Sequence, residues 1–215
     1  MSLTLIIANK NYSSWSMRPW LVLKYFGIPF VEQRVSLYSA AGKEQIRRLS
    51  PTAKVPVLVD GDFVVCDSLA IVEYLAERFA ELALWPRQQQ ARARARCVAA
   101  EMHSGFTALR QHMPMNCRAT LHDRGRVPEC LADIERVTTV WRQCRAAAPD
   151  SGPFLFGEFC IADAMFGPVA SRFKTYAVPL DETGAAYRDA LLDTAAMRAW
   201  YADALAETER VPQYD

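Results

Sequence analysis

Two textures of hydrophobic patterning divide the chain. Over the first 80 residues, short apolar blocks with strand character alternate with amphipathic stretches. Leu3–Ala8 and Phe30–Leu37 read as strands, and Met17–Phe26 reads as a helix closed by Gly27. Gly42–Leu49 reads as a short helix. Val57–Val59 and Phe63–Val65 flank Asp60-Gly61-Asp62, the signature of a hairpin turned at Asp-Gly. Leu69, Val72, Leu75 and Ala76 then repeat at helical spacing within Ser68–Phe79. The order βαβαββα joins a parallel pair, through a crossover helix, to an antiparallel hairpin, so the sheet should be mixed. After Trp85-Pro86 the strand signals cease. Helical patterns cover 88–113 (up to Pro114), 127–147, 159–176 and 185–207, with a loop from Pro149 to Pro153. The chain therefore reads as an α/β domain, residues 1–82, followed by an all-α domain, residues 88–215.

Between the first strand and the first helix lies Asn11-Tyr12-Ser13-Ser14-Trp15-Ser16-Met17-Arg18-Pro19-Trp20. Three serines thus stand where unpaired backbone N–H groups and the positive end of a helix dipole meet, a place suited to an anion. Ser16 is the expected N-cap. That choice puts Pro19 in the first turn, where its missing N–H costs nothing, and makes Trp15 and Trp20 a hydrophobic staple. Ser13 and Ser14 are left as the functional candidates.

Composition narrows the field. The 215 residues carry a formal net charge of +1, so no bulk field draws the chain to nucleic acid or to a membrane. No apolar run approaches the roughly 20 residues that span a bilayer. No basic region precedes the first apolar run and no small-residue cleavage site follows it, so a secretory leader is not expected. Cys66, Cys97, Cys117, Cys130, Cys144 and Cys160 form no Cys-x-x-Cys pair and no metal-ligand spacing with the histidines. They read as small hydrophobes of a reducing, cytoplasmic compartment, and no metal site is expected. The run Ala91-Arg92-Ala93-Arg94-Ala95-Arg96 spreads its arginines around a helix rather than in one stripe, so it reads as a solvated face. No His–Asp partner stands beside the serines, which argues against a serine hydrolase.

At this point the chain resembles the glutathione S-transferase family over essentially its whole length. Three motifs carry the resemblance. Ser13-Ser14-Trp15-Ser16-Met17-Arg18 is similar to the Ser-Ser-Cys-Ser-x-Arg pattern of the zeta class, the maleylacetoacetate isomerase-like enzymes, with Trp15 in place of the cysteine. The others are Ser50-Pro51-Thr52-Ala53-Lys54-Val55-Pro56-Val57-Leu58 and Asp67-Ser68-Leu69-Ala70-Ile71. The resemblance implies a thioredoxin-like domain, a helical domain, glutathione as co-substrate, a small electrophile as second substrate, and a homodimer. A free cysteine thiol has a pKa of about 8.5, and lowering it one unit takes only about 1.4 kcal/mol, roughly one charge-assisted hydrogen bond. A serine therefore serves by donating to the glutathione sulfur rather than as a nucleophile. The zeta pattern selects Ser13 for that role, and other serine-using classes select Ser14.

The same resemblance implies a cis Val55-Pro56 bond whose flanking main chain pairs with the cysteinyl backbone of glutathione. Ser68 and the helix start behind it suit the γ-glutamyl carboxylate, and Asp67 the γ-glutamyl ammonium, in its own site or a neighbouring subunit's. Lys43 or Lys54 suits the glycyl carboxylate. Cys160 and Asp163 correspond to a Ser/Thr-x-x-Asp capping box in which the weak cap Cys160 leaves only the Asp163 half. Arg172 corresponds to a zeta-class arginine that meets substrate carboxylate, at a spacing from Asp163 that is three residues shorter. On a continuous helix His103, Phe106 and Arg110 share one face, so they should line the electrophile pocket, with Phe173 and Tyr176 opposite and Trp15 narrowing it. Three functions remain open: conjugation to a small hydrophobic electrophile, glutathione-dependent cis–trans isomerisation, and non-catalytic glutathione binding.

Overall fold

A computed structural model of the chain describes residues 3–148 and 151–214. Pro149 and Asp150, in the predicted 149–153 loop, lie outside the described residues. Four strands form one mixed sheet in the order β2-β1-β3-β4. β1 (Leu3–Ile7) pairs in parallel with β2 (Phe30–Arg34) and antiparallel with β3 (Val57–Asp60), which turns at Gly61 into β4 (Phe63–Cys66). Successive residues of β1 point to opposite faces. Leu3, Leu5 and Ile7 enter a core with α1 (Ser14–Tyr25) and α3 (Ser68–Arg78), whereas Ile6 meets Val35, Val57 and Ile46 of α2 (Ala40–Leu49). This is the mixed βαβαββα sheet expected from the alternation of β and α signals, and the thioredoxin-like domain that the resemblance implies.

The first helix begins earlier than its sequence suggests. Ser14 is its first residue and Ser13 its N-cap, although the Ser13 side chain makes no capping bond. Ser16 cannot serve as cap because its Oγ accepts the Ala8 N–H at 3.2 Å, from the end of β1. Pro19 consequently falls inside the helix, where it removes an interior N–H. Trp15 and Trp20 form no staple: Trp20 is buried edge-on against Trp200, and Trp15 stays partly exposed toward His103. Gly27, at φ +65°, closes the helix as expected.

The remainder is helical: α4 (Gln89–Ser104), α5 (Thr107–His112), α6 (Pro128–Ala146), α7 (Ile161–Thr175), α8 (Glu182–Leu192) and α9 (Ala195–Ala206). Two patterns that read as single helices are broken. The 88–113 pattern stops at Gly105, and Phe106 turns the chain at φ +58°, burying its ring in the core. The 185–207 pattern restarts at Thr194, whose Oγ1 accepts the Met197 N–H at 3.2 Å as a new N-cap. Helix α7 is buried on almost every side and packs directly on α1. Gly167 permits that approach, since a Cβ there would lie 2.5 Å from Leu21 Cδ1. At the start of α7 both halves of the capping box are present, not the Asp163 half alone. The buried Asp163 carboxylate accepts the Cys160 N–H at 2.9 Å, the Leu155 N–H at 3.0 Å and the Tyr187 hydroxyl at 3.0 Å. Burial still raises its pKa to about 6.

Candidate functional site

A cleft of about 380 Å³ opens between the sheet domain and the helices. Its floor is the turn that precedes α1. Ser13 and Ser14 both line it, beside Trp15, Lys54 and Val55. Ser13 is half-buried, and its Oγ donates to Ser16 Oγ at 2.7 Å. Ser14 is buried and is the first residue of the helix. Two serines thus line the cleft at the end of a helix whose first N–H groups have no intrahelical acceptor. The Val55–Pro56 peptide is cis, and Val55 lines the cleft although Pro56 does not.

The opposite wall is cationic. Arg110 and Arg172 line the cleft. Arg110 spends donors on the carbonyls of Met102, His103 and Gly105. Arg172 is buried and donates Nε to the Met113 carbonyl at 2.8 Å and Nη1 to that of Pro168 at 3.3 Å. Burial lowers the Arg172 pKa to about 10, so it remains a cation at neutral pH. Trp15 stands among these groups. The Arg18 guanidinium lies 4.2 Å and that of Arg110 4.6 Å from its ring centroid, and His103 meets it edge-on at 5.4 Å. Arg18 is fully buried. It reaches Ser68 Oγ at 3.4 Å, while its Nε and Nη2 find no partner among the described residues. Burial, then Arg110 and Arg172, lowers its pKa.

The remaining candidates sit away from the cleft lining. Asp67 takes φ +79° and caps α3 through bonds from the Leu69 and Ala70 N–H groups, at 2.8 and 3.2 Å. Its other oxygen lies 3.3 Å from His103 Nε2. Burial lowers the His103 pKa, opposed by Asp67 and reinforced by Arg18 and Arg110. Ser68 is buried beneath Arg18. The break at Gly105–Phe106 removes the shared face expected for His103, Phe106 and Arg110: of the three, only Arg110 lines the cleft. Tyr176 is buried with its hydroxyl on the Pro114 carbonyl at 3.0 Å, and it too is absent from the lining, as are Phe173 and Lys43. The sequence offered no candidate at Tyr12, Tyr38 or Tyr214, which line the cleft, and no role for Arg18. An arginine within the otherwise apolar stretch Met17–Leu23 was the signal for Arg18. Tyr214 carried no local signal.

The fold is that of the glutathione transferases. A solved structure of a glutathione transferase homolog from Burkholderia GL BGR1, with bound glutathione, superposes with a TM-score of 0.73, covering 96% of this chain and all 100% of that one at 23% identity. The family model for the glutathione S-transferase N-terminal domain matches residues 12–78. Among curated relatives, a probable maleylacetoacetate isomerase from Caenorhabditis elegans is 35% identical over 100 residues, 46% of each chain. Glutathione S-transferase 1 from Dianthus caryophyllus is 42% identical over 81 residues, 37% of this chain and 36% of that one. The chain thus spans less than half the length of these relatives.

Proposed function

We propose that the chain is a glutathione-dependent transferase in which Ser13 stabilises the glutathione thiolate for attack on a small electrophile. The observation that carries this reading is that Ser13, the N-cap residue of α1, lines a cleft that Val55 also lines. On this reading residues 1–82 form the glutathione-binding domain and 88–215 the helical domain that completes the electrophile pocket. Val55, ahead of the cis bond to Pro56, pairs with the cysteinyl backbone, Lys54 meets the glycyl carboxylate, and the start of α3, with Asp67 as its cap and Ser68 as its first residue, receives the γ-glutamyl end. Ser13 exchanges its bond to Ser16 for a charge-assisted bond to sulfur, an exchange favourable by about 1 kcal/mol. The protein then acts as a cytoplasmic homodimer of zeta-like character. Alanine at Ser13 and at Ser14, each assayed for conjugation of chlorodinitrobenzene, tests the reading: it requires a loss at Ser13, and unchanged turnover in both variants removes the serine mechanism.

A second reading, glutathione-dependent cis–trans isomerisation, is favoured by one observation, the Arg110 and Arg172 guanidinium groups on the cleft wall. They suit an electrophile that carries a carboxylate. Turnover of maleylacetone in preference to chlorodinitrobenzene, abolished by Arg172→Leu, would select it. Glutathione binding without turnover of either would select a binding role.

A further inference from the structure

The residues that lead into Ser13 are held from the far end of the chain. The Glu207 carboxylate, at the C-terminal end of α9, has a side chain only 3% exposed. One of its oxygens accepts the Lys10 N–H at 2.7 Å and the other accepts the Asn11 N–H at 3.0 Å. Arg34 Nη1 donates to the first oxygen at 2.9 Å. The carbonyls of the same two residues are also taken: Trp200 Nε1 donates to that of Lys10 at 2.9 Å, and the Cys117 N–H to that of Asn11 at 3.2 Å. Tyr12 sends its N–H to Asn9 Oδ1 at 3.1 Å, and the Ser13 N–H goes to the Asn9 carbonyl at 3.1 Å.

The segment after Glu207 is strapped to the same loop. Arg118 donates to the carbonyls of Glu207 and Glu209 and, at 3.0 Å, to the Tyr12 hydroxyl. Asn9 Nδ2 donates to Glu209 at 2.6 Å, and the Val211 N–H to the Tyr12 hydroxyl at 3.2 Å. Tyr214 lies 5.7 Å from the Tyr12 ring and lines the cleft.

We propose that Glu207 is a positioning residue for Ser13: by holding the Lys10 and Asn11 amides it fixes the turn that aims the Ser13 hydroxyl into the cleft, so residues 207–214 and this turn act as one unit. The inference rests on the glutathione reading above. Two successive buried N–H groups are costly to leave unpaired, so loss of their shared acceptor makes the loop move to find others. A hydrogen bond from Ser13 weakens steeply with such a displacement. Charge alone makes the opposite prediction. Removing a nearby carboxylate favours an anion, so a purely electrostatic role would lower the thiol pKa, whereas a positioning role raises it.

The test titrates glutathione bound to the full chain by its thiolate absorbance, in wild type, Glu207→Gln, Arg118→Lys and the exposed control Glu182→Gln. Glutamine keeps the size and one acceptor of Glu207 but cannot receive both amides. Glu207→Gln should raise the thiol midpoint by about one unit, with kcat for conjugation below that midpoint falling about tenfold and the Lys10 and Asn11 amides exchanging faster. Arg118→Lys should shift the midpoint in the same direction by less, and Glu182→Gln not at all. An unchanged or lowered midpoint in folded Glu207→Gln overturns the inference; should that variant not fold, an unchanged midpoint in Arg118→Lys does so. A wild-type midpoint equal to that of free glutathione overturns the thiolate reading itself, and the role of Glu207 falls with it.

Discussion

Replacing Ser13 with alanine separates chemistry from stability, because the structure gives this hydroxyl so little structural work. Among the described residues its Oγ makes one neutral hydrogen bond, 2.7 Å to Ser16, and does not cap α1. Ser16 keeps its bond from the Ala8 N–H. Ser13→Ala therefore costs the fold about 1 kcal/mol or less. A bound thiolate loses more, a charge-assisted hydrogen bond worth roughly 1.5–3 kcal/mol, less the ~1 kcal/mol that Ser13 gives up when it leaves Ser16. The net, roughly 0.5–2 kcal/mol, raises the bound thiol pKa by about one unit. At a pH below the free-thiol value of about 8.5, kcat/KM then falls about tenfold, and the loss vanishes at high pH, where the thiol ionises unaided. The assay is a pH–rate profile for conjugation beside a thermal melt. A profile identical to wild type in a variant of unchanged melting temperature would refute the reasoning, and the same shift in Ser14→Ala instead would transfer the role to Ser14.

Other expectations follow from the packing and the caps. Gly167→Ala places a methyl 2.5 Å from Cδ1 of the buried Leu21 side chain and should cost about 1–3 kcal/mol in urea unfolding; a neutral result would mean that the Leu21 side chain turns aside. Thr194→Ala removes the cap that starts α9 and should cost about 0.5–2 kcal/mol by the same measurement. Asp163 has a folded pKa of about 6 against an ordinary value of 3.8. The folded state therefore holds a proton that the unfolded chain has released, so this group's contribution is full below pH ~4 and is lost as pH rises through ~6. Relative to Asp163→Asn, wild type should lose about 3 kcal/mol between those limits, and a wild-type advantage that grows with pH would contradict the assignment.

Much of the sheet domain was legible because its signals are local. The apolar block Leu3–Ile7, the Asp60-Gly61 turn and the helical spacing within Ser68–Phe79 each sit within a few residues of what they specify. Ser16 misled because it is an ideal cap by type, yet its hydroxyl is claimed by Ala8, eight residues earlier and on another element. The two broken helices misled because apolar spacing runs on across Gly105 and Asp193, while a positive φ at Phe106 is not written in a phenylalanine. In the site, Ser13, Ser14, Trp15, Lys54 and Val55 come from contiguous motifs and share the cleft. Tyr214 and the Glu207 clasp depend on contacts across nearly 200 positions of sequence, which no local pattern encodes.

The central claim is that one hydroxyl, at the start of α1, stabilises a glutathione thiolate in this cleft. A crystal structure of the chain with glutathione bound tests it most directly. The account predicts the sulfur within about 3.2 Å of Ser13 Oγ, with the Val55 main chain paired to the cysteinyl backbone; a sulfur seated on Ser14 instead, or glutathione bound away from the α1 turn, would contradict it.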